Sequence, residues 1–157
     1  MGTGSVDLRG QDGFVLLEVV CVLAIIGLLI AIILPQIPRS TSRTKLEAYA
    51  LETAALLKAD RYAAIRRGNA VATHVDVPAR TIRSGASGQQ LRLPDDVRFD
   101  AILAERCGGR PAYAEIMFFQ SGMSCGGVVA ISRPGAGYQV RVNWLTGSVE
   151  VVTNVRR

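Results

Sequence analysis

A chain of 157 residues with 18 Lys and Arg, 13 Asp and Glu, three Cys and one His is about one domain in size. A leader and a membrane segment would leave roughly 120 residues, enough for a modest core but not for a second enzyme-sized domain. The formal charge of +5 is unevenly spread: residues 39–92 hold ten Lys and Arg against four Asp and Glu, whereas later residues are nearly balanced. Such a basic stretch is either a solvated helix face or a place to meet acidic lipid headgroups, an acidic partner or nucleic acid.

Residues 1–13 read as a leader carrying Asp7 and Asp12 against a single Arg9. Residues 14–34 follow, 21 positions whose only ionisable side chains are Glu18 and the thiol of Cys21. A helix of that length is about 30 Å long, the thickness of a bilayer core. A secretory signal peptide is excluded, because it needs a basic flank before the apolar run and a small-residue cleavage site after it. A carboxylate in an apolar helix demands a partner. Cleavage between Gly13 and Phe14 would supply one, since the new amino group would lie one helical turn before Glu18, or beside the Glu18 of a neighbouring subunit. Pro35 and Pro38 interrupt the pattern, because neither donates a backbone hydrogen bond and each restrains the residue before it.

The run Gly13-Phe14-Val15-Leu16-Leu17-Glu18-Val19, continued by Val22-Leu23-Ala24-Ile25-Ile26-Gly27-Leu28-Leu29, resembles the class III signal of type IV pilins and type II secretion pseudopilins. The resemblance implies that a prepilin peptidase cuts after Gly13, that Phe14 is N-methylated, and that Glu18 guides assembly. It also implies that Pro35 kinks the helix, that residues 14–35 serve as transmembrane and filament-core helix, and that the head lies in the periplasm of a bacterium whose inner membrane is crossed once. The leader departs from that pattern in lacking a basic cluster, and Arg39, Arg43 and Lys45 lie on the far side of the apolar run.

Residues 36–68 read as an amphipathic helix. Ser40 and Ser42 are available as caps, an apolar stripe runs through Leu46, Tyr49, Ala50 and Leu57, and Gly68 stands at the C-terminal cap. The string from Leu57 through Asp60, Arg61 and Tyr62 to Gly68 resembles the end of the long helix in H-type minor pseudopilins.

Residues 69–157 read as an antiparallel β head. Short β-favouring runs at 70–77, 89–93, 97–102, 115–119, 128–132, 138–144 and 148–152 are punctuated by Gly and Pro. The fold class is therefore α+β, a long N-terminal helix, half anchor and half amphipathic, packed on antiparallel sheet. Phe118-Phe119-Gln120-Ser121-Gly122-Met123-Ser124-Cys125-Gly126-Gly127 and the Thr146-Gly147 turn resemble the C-terminal half of the H-type domain. Residues 78–110 resemble nothing specific.

No catalytic constellation converges. His74 sits in an alternating pattern that marks a strand; Ser121 to Gly126 would need it as a base to form a nucleophile loop. Asp95, Asp96 and Asp100 read as exposed turn carboxylates rather than a cation site, and the Cys spacing excludes a zinc site. The glycines at 122, 126, 127 and 147 lack the strand, loop and helix order of a phosphate cradle. No metal, cofactor or small-molecule substrate is expected. In the oxidising compartment that the resemblance implies, Cys107 and Cys125 are the pair available for a disulfide, while Cys21 is a packing residue; connectivity is left open by the sequence.

Two functions follow. The first is a non-enzymatic minor pseudopilin of the type II secretion system, whose partners are other pseudopilins, the prepilin peptidase and methylase, and the inner membrane. The alternative is a minor pilin of a type IV pilus that binds DNA for uptake, motivated by the basic stretch and Arg156-Arg157, although aromatic side chains for stacking are not interleaved with those charges.

Overall fold

The computed structural model describes residues 12–33 and 40–154, and the chain divides into two units, residues 1–39 and 40–157. In the first, α1 (Asp12–Ile33) is a 22-residue helix. Its described side chains, residues 15–29, are all exposed and cover about 22 Å of helix. Among the described residues no helix is long and apolar enough to cross a membrane. Pro35, read as the kink, lies outside the described residues.

The second unit opens with α2 (Arg43–Arg67). Residues 40–42 precede the helix, so it starts later than residue 36. The Ser42 hydroxyl accepts from the Lys45 N–H at 3.2 Å, which caps one donor of the first turn, and the Ser42 carbonyl accepts from the Leu46 N–H at 2.9 Å. Gly68 closes the helix at φ 66°, and Arg66 and Arg67 in the last turn face the negative end of its dipole. Leu46, Ala50, Thr53, Leu57, Asp60 and Ala64 recur at three- and four-residue spacing and are buried. The one hydroxyl among them, on Thr53, donates to the Tyr49 carbonyl at 2.8 Å.

Two four-stranded antiparallel sheets pack with that face. The first is ordered β3-β2-β1-β7, from β1 (Val71–Asp76), β2 (Thr81–Arg83), β3 (Gln90–Arg92) and β7 (Glu115–Phe118). The second is ordered β10-β9-β8-β4, from β4 (Arg98–Leu103), β8 (Gly127–Arg133), β9 (Ala136–Val142) and β10 (Val149–Thr153). A small ribbon, β5 (Arg106–Cys107) with β6 (Arg110–Pro111), lies between β4 and β7 in the chain. Alternation sorts the strands: Val71, Thr73 and Val75 point inward from β1, Tyr138, Val140 and Val142 from β9, and Val129 and Ile131 from β8. With Ile82, Phe99, Ile116 and Phe118 they form one core with α2.

The seven expected strand runs are present with shifted ends, and three further strands occupy the middle of the chain. The run expected to reach residue 144 stops at Val142, because the Asn143 carboxamide oxygen accepts from the N–H groups of Leu145 (2.9 Å) and Thr146 (3.0 Å) and folds the chain into a turn. Trp144 consequently stands in solvent, 66% exposed.

Candidate functional site

Gly13, Phe14 and Glu18 share α1, and the Gly13–Phe14 peptide bond falls in its first turn. Phe14 precedes Glu18 by one helical turn, about 6 Å along one face, so a new amino group there would approach the carboxylate. Glu18 is exposed, as are its apolar neighbours Val15 (60%), Leu17 (65%) and Val22 (49%). Over its exposed residues 15–29 the helix is apolar on every side and carries one carboxylate, so it has surface to bury against something beyond itself.

Within the head, two polar centres hold α2 to the sheets. In the first, Asp60 lies wholly buried on the α2 stripe. Its carboxylate accepts from the Thr73 hydroxyl (2.6 Å), the Ser84 hydroxyl, and the N–H groups of Gly85 (3.1 Å) and Ala86 (3.2 Å). Four donors replace the water it loses, and the carboxylate thereby links the helix to β1 and to the turn after β2. In the second, Arg61 Nε donates to the Gly122 carbonyl and Nη2 to the Thr146 carbonyl, each at 3.0 Å. One guanidinium thus joins the loop after β7 to the loop between β9 and β10. Gly147 makes that meeting possible: its φ is 63°, and a Cβ there would stand 2.0 Å from the Gly122 carbonyl oxygen and 2.8 Å from Arg61 Nε. Sequence reasoning misses both centres. The signal for Asp60 is its place on the apolar spacing between Leu57 and Ala64; nothing local marks Arg61.

The remaining candidates separate. His74 pairs with Glu115 across the β1–β7 register at 3.1 Å. Among residues 121–126 the Ser124 hydroxyl donates to the Met117 carbonyl at 2.8 Å, and the Ser121 hydroxyl accepts from the Met123 N–H at 3.4 Å. The three aspartates have three partners: Asp95 faces Arg80 (3.6 Å), Asp100 faces Arg98 (2.7 Å), and Asp96 accepts from the Thr41 N–H and, at 2.9 Å, from its hydroxyl. Those hydrogen bonds, with Arg133 nearby, hold the Asp96 carboxyl below its ordinary pKa. Arg133 also donates to the Thr41 carbonyl, so the entry to α2 is clasped by residues from two parts of the head. No cluster of three metal-ligating side chains occurs among the described residues. A depression of about 480 Å³ over β4, β8 and β9 includes Arg98, Asp100, Ile102 and Tyr138 in its wall; its one carboxylate is the one already paired with Arg98. Cys107 and Cys125 form a disulfide, Cα–Cα 5.6 Å, tying the β5–β6 ribbon to the turn before β8.

The basic stretch is partly consumed inside the head. Besides Arg61, Arg67 donates to the Ala86 carbonyl (3.3 Å), and Arg80 to the carbonyls of Pro94 and Val97.

No family model matches the sequence, and no curated protein matches it. Solved structures do. The minor pseudopilin EpsH of the Vibrio cholerae type 2 secretion system superposes with a TM-score of 0.56 at 17% identity, over 69% of this chain and 96% of that one. A second EpsH structure gives 0.52 at 13% identity, over 74% and 96%. The type IV minor pilin FimU of Pseudomonas aeruginosa gives 0.52 at 17% identity, over 71% and 91%. A helix packed on antiparallel sheets is thus an arrangement shared with known minor pseudopilins and minor pilins: the chain has a pilin-like fold.

Proposed function

We propose that this chain is a minor pseudopilin, a non-enzymatic structural subunit of a type II secretion pseudopilus that supports protein export across the outer membrane. The observation that carries the reading is the joining of a pilin-like head to an N-terminal helix bearing Gly13, Phe14 and Glu18 in the spacing of a prepilin signal. In this reading the peptidase cuts after Gly13 and Phe14 is N-methylated. Residues 14–35 hold the subunit in the inner membrane with its head in the periplasm, and then pack among the helices of neighbouring pseudopilins. Glu18, in a medium where an unpaired carboxylate costs several kcal/mol, sets the register of that packing.

DNA capture draws less support, because Arg61, Arg67 and Arg80 bond to carbonyls of the head itself and would leave fewer free contacts for phosphates.

Mass spectrometry of the mature N-terminus, with and without a prepilin peptidase, tests the first step; methylated Phe14 is expected, and an uncut chain overturns the reading. Glu18→Ala is expected to leave cleavage largely intact and to impair incorporation into the filament, as followed by shearing and immunoblotting. Normal incorporation of that variant would sink the register role.

A further inference from the structure

One end of the head gathers three stretches of chain: the last turns of α2, the loop after β7 and the turn between β9 and β10. Arg61 bonds to the Gly122 carbonyl in the loop and to the Thr146 carbonyl in the turn. The Ser124 N–H adds a bond to the Trp144 carbonyl at 3.0 Å, and the Cys107–Cys125 bridge holds the loop from its other side. The side chains displayed on this frame are apolar: Ile65 and Met123 are each 42% exposed, Leu145 55% and Trp144 66%. They lie close together, since a Cβ on Gly122 would stand 3.2 Å from Ile65 Cδ1 and one on Gly126 would stand 3.1 Å from Trp144 Cβ. The Asn143 carboxamide already closes the turn, so the local fold does not require Trp144 and Leu145 to be apolar. Apolar side chains held outward on a fixed frame mark a contact surface.

The charges around them have one sign. Residues 58–68 carry Lys58, Arg61, Arg66 and Arg67, their single acid is the buried Asp60, and residues 119–126 and 143–148 carry no charge. Lys58 and Arg66 are exposed. An apolar centre with a cationic margin matches a partner that is apolar behind an anionic layer, which is the make-up of a bilayer containing acidic phospholipids. Shape favours lipid over a protein groove. Trp144 and Leu145 stand together on one turn, and fluid headgroups close around such a knob, where a rigid surface would need a matching cleft. An indole also suits the interface, with its ring among acyl carbons and its N–H among headgroups.

We infer that this end of the head binds the surface of an anionic phospholipid bilayer, with Trp144 and Leu145 entering the headgroup layer, Ile65 and Met123 beside them, and Lys58 and Arg66 meeting lipid phosphates. Such a contact is separate from α1 and needs neither cleavage after Gly13 nor assembly through Glu18.

Trp144 is the only tryptophan of the chain, so its fluorescence reports on the patch directly. The full-length chain is reconstituted from detergent into phosphatidylcholine vesicles with and without phosphatidylglycerol, all containing some doxyl-labelled lipid, and the material that floats with the vesicles is measured. In the anionic vesicles Trp144 emission is expected to shift to the blue and to be quenched several-fold more than in the neutral ones. Added salt should remove most of that difference. Lys58→Glu with Arg66→Glu should have the same effect at low salt, and Leu145→Asp should weaken the quenching. Leu51→Asp, exposed about 15 Å along α2 from Arg61, should leave it unchanged. Equal quenching in both vesicles, or a Trp144 that stays in water in both, would overturn the contact. A blue shift without quenching that grows with the protein-to-lipid ratio would also overturn it and assign the patch to a second copy of the chain. The salt series uses the unaltered sequence, so the result does not depend on the variants folding. If the chain floats with neither kind of vesicle, the anchor reading of α1 falls together with this contact; if it floats and Trp144 stays in water, only the contact falls.

Discussion

Asp60 is an acid with no exposure and no basic partner, held by four hydrogen-bond donors from elements that follow it in the chain. Replacing it by Ala would take the acceptor from two buried hydroxyls, on Thr73 and Ser84, and from the Gly85 N–H. Asp60→Ala is therefore expected to destabilise the head by about 3 kcal/mol or more, and Asp60→Asn, which keeps one acceptor oxygen, by less; urea denaturation followed by circular dichroism measures both. Asp96 operates at the surface and responds to acid instead. Its folded pKa lies below the unfolded one, so its contribution is fully present above the ordinary carboxylate range and disappears as the pH falls through the lowered value. The Asp96→Asn head should therefore unfold more readily than the parent at neutral pH. The gap should narrow towards the acid end of a series of melting curves; a constant gap would contradict the assignment.

At the scale of elements, α2 and the two loops that Arg61 joins behave as one piece, with Gly147 at the point of closest approach. Gly147→Ala would push a methyl group into the Gly122 carbonyl in a backbone conformation that already disfavours L-residues, at a cost of about 2 kcal/mol or more. A lowered denaturation midpoint with retained sheet content is the expected result. Most elements can be read from the residues alone: the extended apolar run of α1, the capped and periodic α2, and strands whose alternation marks an inner face. The ribbon of β5 and β6, two residues each, and the three residues of β2 are too short to carry a period. The Arg61 centre escapes for another reason. Its acceptors are backbone carbonyls 61 and 85 residues away, and a carbonyl has no residue identity to be recognised in a sequence. Asp60 is more legible, because an acid on the buried spacing of a helix demands donors; the sequence does not say which donors arrive.

For the whole molecule, the pairing of Cys107 with Cys125 closes the chain across the β5–β6 ribbon and the strand that follows, a separation of 18 residues. A cross-link of that span narrows the unfolded ensemble by about 3 kcal/mol in the chain-entropy account. Reduction, or Cys107→Ser together with Cys125→Ser, should lower the melting temperature without altering the fold. Processing at Gly13 and register at Glu18 can be proposed from the sequence because they depend on order along one segment, and the pilin-like helix on antiparallel sheet is legible there too; the order of strands in the two sheets becomes visible only when strands distant in the chain are paired.

The same bond also carries information about place. Thiols pair where the surroundings are oxidising and stay reduced in the cytosol. On the proposed topology, a head still on the inner side of the membrane would keep both sulfurs as thiols, which an alkylating reagent marks once the head is unfolded, and one delivered outward would not. Each subunit would then bear a chemical stamp of its own passage, written in the loop beside β8 and independent of any cut at the other end of the chain.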